Sequence, residues 1–88
     1  MKNKEKQKLP KWFDGEVYET GDEVSNPFSG ETYLLTAEEL SIYDLIKGAE
    51  MAIAMGMVID HEECYKIMRK GIDWFIQNNP QAYMVLLD

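Results

Sequence analysis

Apolar positions follow two different rhythms along the chain, and the change falls at Thr36. Before it, residues 12–35 read "WFDGEVYETGDEVSNPFSGETYLL". These are short β-favouring pieces separated by the turn formers Asp14-Gly15, Gly21-Asp22, Asn26-Pro27 and Ser29-Gly30. The spacing predicts a small antiparallel meander with strands over residues 16–18, 23–25 and 32–35. Strands of this length are unstable without cover, so a helix must pack on them.

From Thr36 the period becomes helical. "TAEEL" offers a threonine hydroxyl to the first unpaired N–H groups and a glutamate three residues on that can reach back, the pattern of a capping box. Ile42, Leu45, Ile46, Ala49 and Ile53 then recur at three- and four-residue steps and define a face turned to the sheet. Ser41, Asp44, Lys47 and Glu50 define the face turned to water. After Glu50 the run "MAIAMGMVI" is apolar on every side. Met51, Ala54 and Met55 then sit where the first half of the helix is polar, and something must cover them, either the core itself or another copy of the chain. Gly48, Ala52 and Gly56 form a ridge without bulk along which a second helix could come close.

A second helix is predicted from Asp60, with Cys64, Ile67, Met68, Ile72 and Phe75 as its buried stripe, Gly71 allowing close approach, and Trp74 covered by the C-terminal helix. Asn79-Pro80 restarts the chain as a cap and first helical residue, opening a short final helix docked through Tyr83, Met84, Val85, Leu86 and Leu87. The fold class expected is α+β: a meander over 12–35 and an αα-hairpin with a short third helix over 36–88. Residues 1–11 are expected to be a disordered basic tail.

Charge sharpens this picture. The tail holds five lysines and one glutamate, a net +4, which leaves −11 for the rest of a chain whose total is −7. Between Lys11 and Lys47 stand nine acids (Asp14, Glu16, Glu19, Asp22, Glu23, Glu31, Glu38, Glu39 and Asp44) with no lysine or arginine among them. Binding of nucleic acid by the folded body is disfavoured, because contacts to phosphate require cations. A protein with a basic surface is the natural counterpart. The longest uncharged apolar run has nine residues, 51–59, against about 20 needed to cross a bilayer. A single cysteine and the lack of an apolar stretch near the start lead us to expect a reducing, cytoplasmic setting and no membrane.

Catalytic chemistry finds little support. "DHEECY" places His61 and Cys64 one helical turn apart, but Tyr65 stands where a zinc-protease helix needs histidine, and two ligands do not close a structural zinc site. Cys64 lies on the predicted core face, where a thiol is inert. The phosphate-binding, dinucleotide-binding and nucleophile-elbow patterns are missing from the sequence. We expect no enzyme and no metal or other cofactor. The candidate partner-binding residues are Asn26, Phe28, Ser29 and Glu31 with Asp22 and Glu23, because turn chemistry explains every member of the 26–31 segment except Phe28. Met51, Met55 and Met57 are the candidate oligomer surface, for a homodimer.

The stretch from Trp12 to Glu50 and the closing "KGIDWFIQNNPQAYMVLLD" resemble a group of small uncharacterised proteins of marine T4-like tailed phages, of the cyanophage and pelagiphage type. The likeness covers most of residues 12–88. It is most specific at Gly21-Asp22, at residues 26–31, at Tyr43-Asp44 through Gly48, and at Trp74-Phe75 and residues 83–88. It implies the cytoplasm of an infected host or a virion as the setting and brings no catalytic residues. The expected function is that of a phage accessory protein acting as a non-catalytic interaction module through the acidic meander and the 26–31 loop. The alternative is a minor virion or assembly component acting as an obligate oligomer.

Overall fold

The computed structural model describes residues 8–57 and 60–88. It has the α+β architecture expected: a two-stranded antiparallel sheet, β1 (Asp22–Ser25) and β2 (Thr32–Leu35), then α1 (Ala37–Ala54), α2 (His61–Asn78) and α3 (Pro80–Leu86). The strands pair as Asp22 with Leu35, Glu23 with Leu34, Val24 with Tyr33 and Ser25 with Thr32. Period-two alternation turns Tyr33 and Leu35 inward and leaves Thr32 and Leu34 exposed.

Residues 16–18 do not form the third strand that the sequence suggested. The Tyr18 N–H, which would have served a ladder, donates instead to the Ser41 hydroxyl at 3.0 Å, and this holds the segment against α1. That same contact reverses the expectation for Ser41, which is fully buried rather than water-facing. Its hydroxyl donates back to the Ala37 carbonyl at 2.8 Å while accepting from Tyr18, so both its roles are filled inside the protein.

α1 begins as read. The Thr36 side chain accepts from the Glu39 N–H and the Glu39 carboxylate accepts from the Thr36 N–H, closing the capping box. Its end is set by Gly56, whose φ of 69° lies in the left-handed region. The Met57 N–H reaches the Ala52 carbonyl at 3.0 Å and the Gly56 N–H reaches Ile53 at 3.1 Å, the two bonds of a Schellman stop. Gly56 therefore terminates the helix and is not part of a packing ridge. Gly48 likewise faces open space.

The close approach occurs at Gly71 on α2, where a Cβ would stand 2.5 Å from Cγ1 and 2.7 Å from Cδ1 of Ile46. α1 packs mainly on α2, so its apolar face meets a helix more than the sheet, while β2 lies against α3 and the start of α1. The core consists of Leu35, Ile42, Ile46, Trp74, Phe75, Ala82 and Leu86, with Trp74 and Phe75 edge to face at 5.4 Å.

Two further expectations change. Trp74 is buried, but the segment before Trp12 helps to cover it: its indole N–H donates to the Lys8 carbonyl at 3.4 Å, and Leu9 packs on the core cluster. The last residues of the expected tail are thus docked, and residues 1–7 lie outside the described residues. Met51, Met55 and Met57 are 61–70 % exposed, which removes the core-filling reading for all three; Val58 and Ile59 of the same run lie outside the described residues. Cys64 is half-buried rather than sealed in the core.

A polar node inside the apolar core joins the sheet to the helices. Glu39 is fully buried and Asn79 nearly so. One Glu39 carboxylate oxygen accepts from the Thr36 N–H at 2.9 Å and the other from the Asn79 side-chain amide at 2.9 Å. The Asn79 oxygen caps α3 by accepting from the Ala82 N–H at 3.2 Å and also takes the Tyr33 hydroxyl at 3.3 Å. The node thereby fixes β2, the start of α1 and the start of α3 at one point.

Candidate functional site: the hairpin loop and its neighbouring hollow

The hairpin loop is built around Asn26. Its side-chain oxygen accepts from the Phe28 N–H at 2.8 Å and the Ser29 N–H at 3.3 Å, an Asx turn that Pro27 favours by fixing its own φ. Its backbone accepts from Gly30 at 2.8 Å and donates to Glu31 at 2.8 Å, and Gly30 takes the left-handed φ of 81° that closes the loop. The Asn26 amide nitrogen donates to the Val85 carbonyl at 2.9 Å, tying the loop to α3. The Ser29 hydroxyl accepts from the Glu31 N–H at 3.1 Å.

This bonding divides the predicted site by role. The polar atoms of Asn26 and Ser29 are engaged within the loop and support it. Phe28 is 96 % exposed, the most exposed large apolar side chain among the described residues. Glu31 stands beside it in solvent. Asp22 and Glu23 are exposed as well, but they lie at the far end of β1, about 13 Å away at some 3.3 Å per residue. Of the nine acids between Lys11 and Lys47, Glu39 belongs to the buried node and not to the anionic surface.

Beside Phe28 lies a partly enclosed hollow of about 150 Å³. Pro27 and Phe28 border it, Ile46, Ile72, Leu86 and Leu87 line its apolar wall, and Lys47, Glu50 and Asp88 bring charge to it. Lys47 is paired with Glu50 at 3.0 Å and its ammonium stands 5.9 Å from the Tyr43 ring centroid. Met51 on α1 and Met55 at its C-cap fall on a different stripe, one turn apart on the side of Asp44 and Gly48. The hollow could not have been found in the sequence, because its walls come from α1, α2, the loop and the C-terminus. His61 is exposed at the start of α2, and no group of three or more histidine, cysteine or acidic side chains among the described residues is placed to hold a metal ion.

The Tyr18 phenol is shifted by its surroundings. Burial first, then the Asp44 and Glu16 carboxylates and a hydrogen bond to Asp44, push its phenol above the ordinary value of 10.0. The folded protein thus holds this proton more tightly than the unfolded chain. The associated stability is intact below pH 10 and is lost as pH rises through the folded-state value. Spectrophotometric titration should show a tyrosine ionising above the ordinary value of 10.0 that is missing from Tyr18→Phe. Tyr18→Phe should flatten the fall in urea midpoint above pH 10.

Together these features define a small α+β protein with an aromatic-tipped, acidic hairpin braced on a helical hairpin. No family model, curated protein or solved structure matches the chain. No described helix is long and apolar enough to cross a membrane.

Proposed function

We propose that the chain is a phage accessory protein that works in the host cytoplasm as a non-catalytic interaction module. The observation that carries this reading is Phe28, 96 % exposed at the tip of a loop whose turn is closed by its own hydrogen bonds. An aromatic side chain held outward by an ordered loop loses little entropy on binding, and aromatic residues dominate the energetics of protein interfaces. Exposed acids at Glu31, Asp22 and Glu23 favour a partner with a basic surface and predict binding that weakens with salt.

The test is affinity capture from infected-cell lysate with wild type and Phe28→Ala in parallel, at low and high salt. Phe28 touches little, so the substitution should change stability by no more than about 0.5 kcal/mol. It should reduce recovery of the partner at least about tenfold. Equal recovery by both proteins would contradict the proposal. A second reading, a minor virion or assembly component acting as an obligate oligomer, draws on the exposed Met51, Met55 and Met57. Mass spectrometry of purified particles distinguishes it, since a structural component is present in stoichiometric amounts.

A further inference from the structure

We infer that the face formed by residues 8–12 and α2 binds single-stranded nucleic acid, with a base held against Trp12 and the phosphates on the surrounding cations. Contacts to phosphate require cations, which is why the acidic stretch before Lys47 disfavours such a ligand. The folded chain gathers its cations elsewhere. Eight of the nine lysines and arginines lie either in residues 1–11 or at Lys66, Arg69 and Lys70 of α2. Stretches 66 residues apart in sequence meet here: the Trp74 indole N–H donates to the Lys8 carbonyl at 3.4 Å, and the Lys70 ammonium stands 5.8 Å from the Trp12 ring centroid. Lys8, Lys11, Lys66, Arg69 and Lys70 are exposed, and among the described residues none of them is in an ion pair, whereas Lys47 is paired with Glu50. Glu62, Glu63 and Asp73 stand on the same helix and offset its three cations, so the two stretches together keep the +4 of residues 1–11 in a chain of −7.

An open groove of about 350 Å³ follows the junction, lined by Pro10, Trp12, Lys70, Asp73, Trp74 and Gln77. That volume lies in the range of about 300–1,000 Å³ that small ligands occupy. Bases stack on aromatic side chains whatever their sequence, and the half-buried Trp12 supplies such a surface. Lys66 precedes Lys70 by one turn on the stripe that carries Asp73 and Gln77, so positive charge continues along α2 past the groove. Asp73 sets which part of the ligand enters. Its carboxylate repels phosphate and accepts from an exocyclic amino group such as cytosine N4, which thymine lacks. The base therefore goes in, the phosphates stay at the rim, and cytosine is preferred to thymine. This inference is independent of the partner proposed for the 26–31 loop, which uses none of these residues.

Fluorescence anisotropy of labelled oligo-dC and oligo-dT with the purified full chain tests it. Oligo-dC binding should tighten as salt falls, with a log–log slope of about −0.7 per phosphate contacted. Oligo-dT should bind at least about fivefold more weakly, and Asp73→Ala should bring the two level. The double variant Lys66→Glu, Arg69→Glu, with both sites exposed, should weaken oligo-dC binding at least about tenfold. Tryptophan emission should fall on saturation with oligo-dC, and Trp12→Phe should lose most of that quenching, with thermal melting confirming that each variant is folded. No binding at about 20 mM salt, equal affinity of the wild type for the two oligonucleotides, or indifference to the double variant would overturn the inference. Displacement of oligo-dC by phosphatidylserine vesicles as readily as by unlabelled oligo-dC would overturn it too, and would assign the face to a membrane surface.

Discussion

Glu39→Ala should lower the free energy of unfolding by about 3–4 kcal/mol, because it removes one member of a buried hydrogen-bonded set and leaves the others without their acceptor. The Thr36 N–H and the Asn79 amide would both lose the carboxylate that now accepts from each at 2.9 Å, in a place from which water is excluded. A chain of this length has a total stability of only about 4–13 kcal/mol, so urea denaturation should show a large fall in midpoint. Glu39→Gln should recover only part of the loss. A glutamine oxygen can still accept from Thr36, but its nitrogen would face the Asn79 nitrogen, donor against donor. Turning the Asn79 amide round would relieve that clash and give up the cap on Ala82. A double-mutant cycle of Glu39→Ala with Asn79→Ala should accordingly give a coupling energy above about 1 kcal/mol. Simple additivity of the two losses would show that the node does not act as a unit.

Gly21→Ala should cost about 2–3 kcal/mol or more, although the residue is exposed and its φ is not in the left-handed region. The cause is space. A Cβ at Gly21 would fall on the Leu35 carbonyl oxygen, with the Leu35 carbonyl carbon at 2.9 Å and Thr36 Cα at 3.0 Å, all of them backbone atoms that cannot rotate aside. Relief requires the hairpin to part from the start of α1, which disturbs the Asp22–Leu35 pair and the Thr36 cap together. Gly48→Ala is the matching control. A Cβ there meets nothing within 4 Å inside a helix, so the change should stabilise by about 0.5–1 kcal/mol. Thermal melting of the pair should therefore give shifts of opposite sign, and a neutral Gly21→Ala would mean that this backbone crossing is looser than described.

What could be read from sequence was local. The Thr36 cap, the Asp60 and Asn79 starts and strand β2 were legible because each depends on residues only a few positions apart. The third strand failed because a β-favouring string carries no record of a rival partner, and the rival is the Ser41 hydroxyl, 23 residues away. Helical periodicity assigns Ser41 to water, and the capping box that the sequence does show for Glu39 carries no sign of its second partner. Here the residue 18 segment covers Ser41 and Asn79 satisfies Glu39. Its four-residue spacing suggests a packing role for Gly56, yet its positive φ makes it a stop. In the candidate site, Phe28 stood out as the one residue that turn chemistry left unexplained, and it is the one most exposed. The hollow beside it required four separate stretches of chain to be brought together and had no sequence signal.

The most direct measurement is amide hydrogen exchange across the 26–31 loop, since an ordered display of Phe28 underlies the proposed partner binding. At a concentration where the protein is monomeric, the Asn26, Phe28 and Gly30 amides, which donate at 2.8 Å to loop acceptors, should exchange well below random-coil rates, and Asn26→Ala should release the Phe28 amide. Random-coil exchange at all three amides in the wild-type protein would contradict this arrangement, because Phe28 would then sit on a mobile loop and not on a braced one.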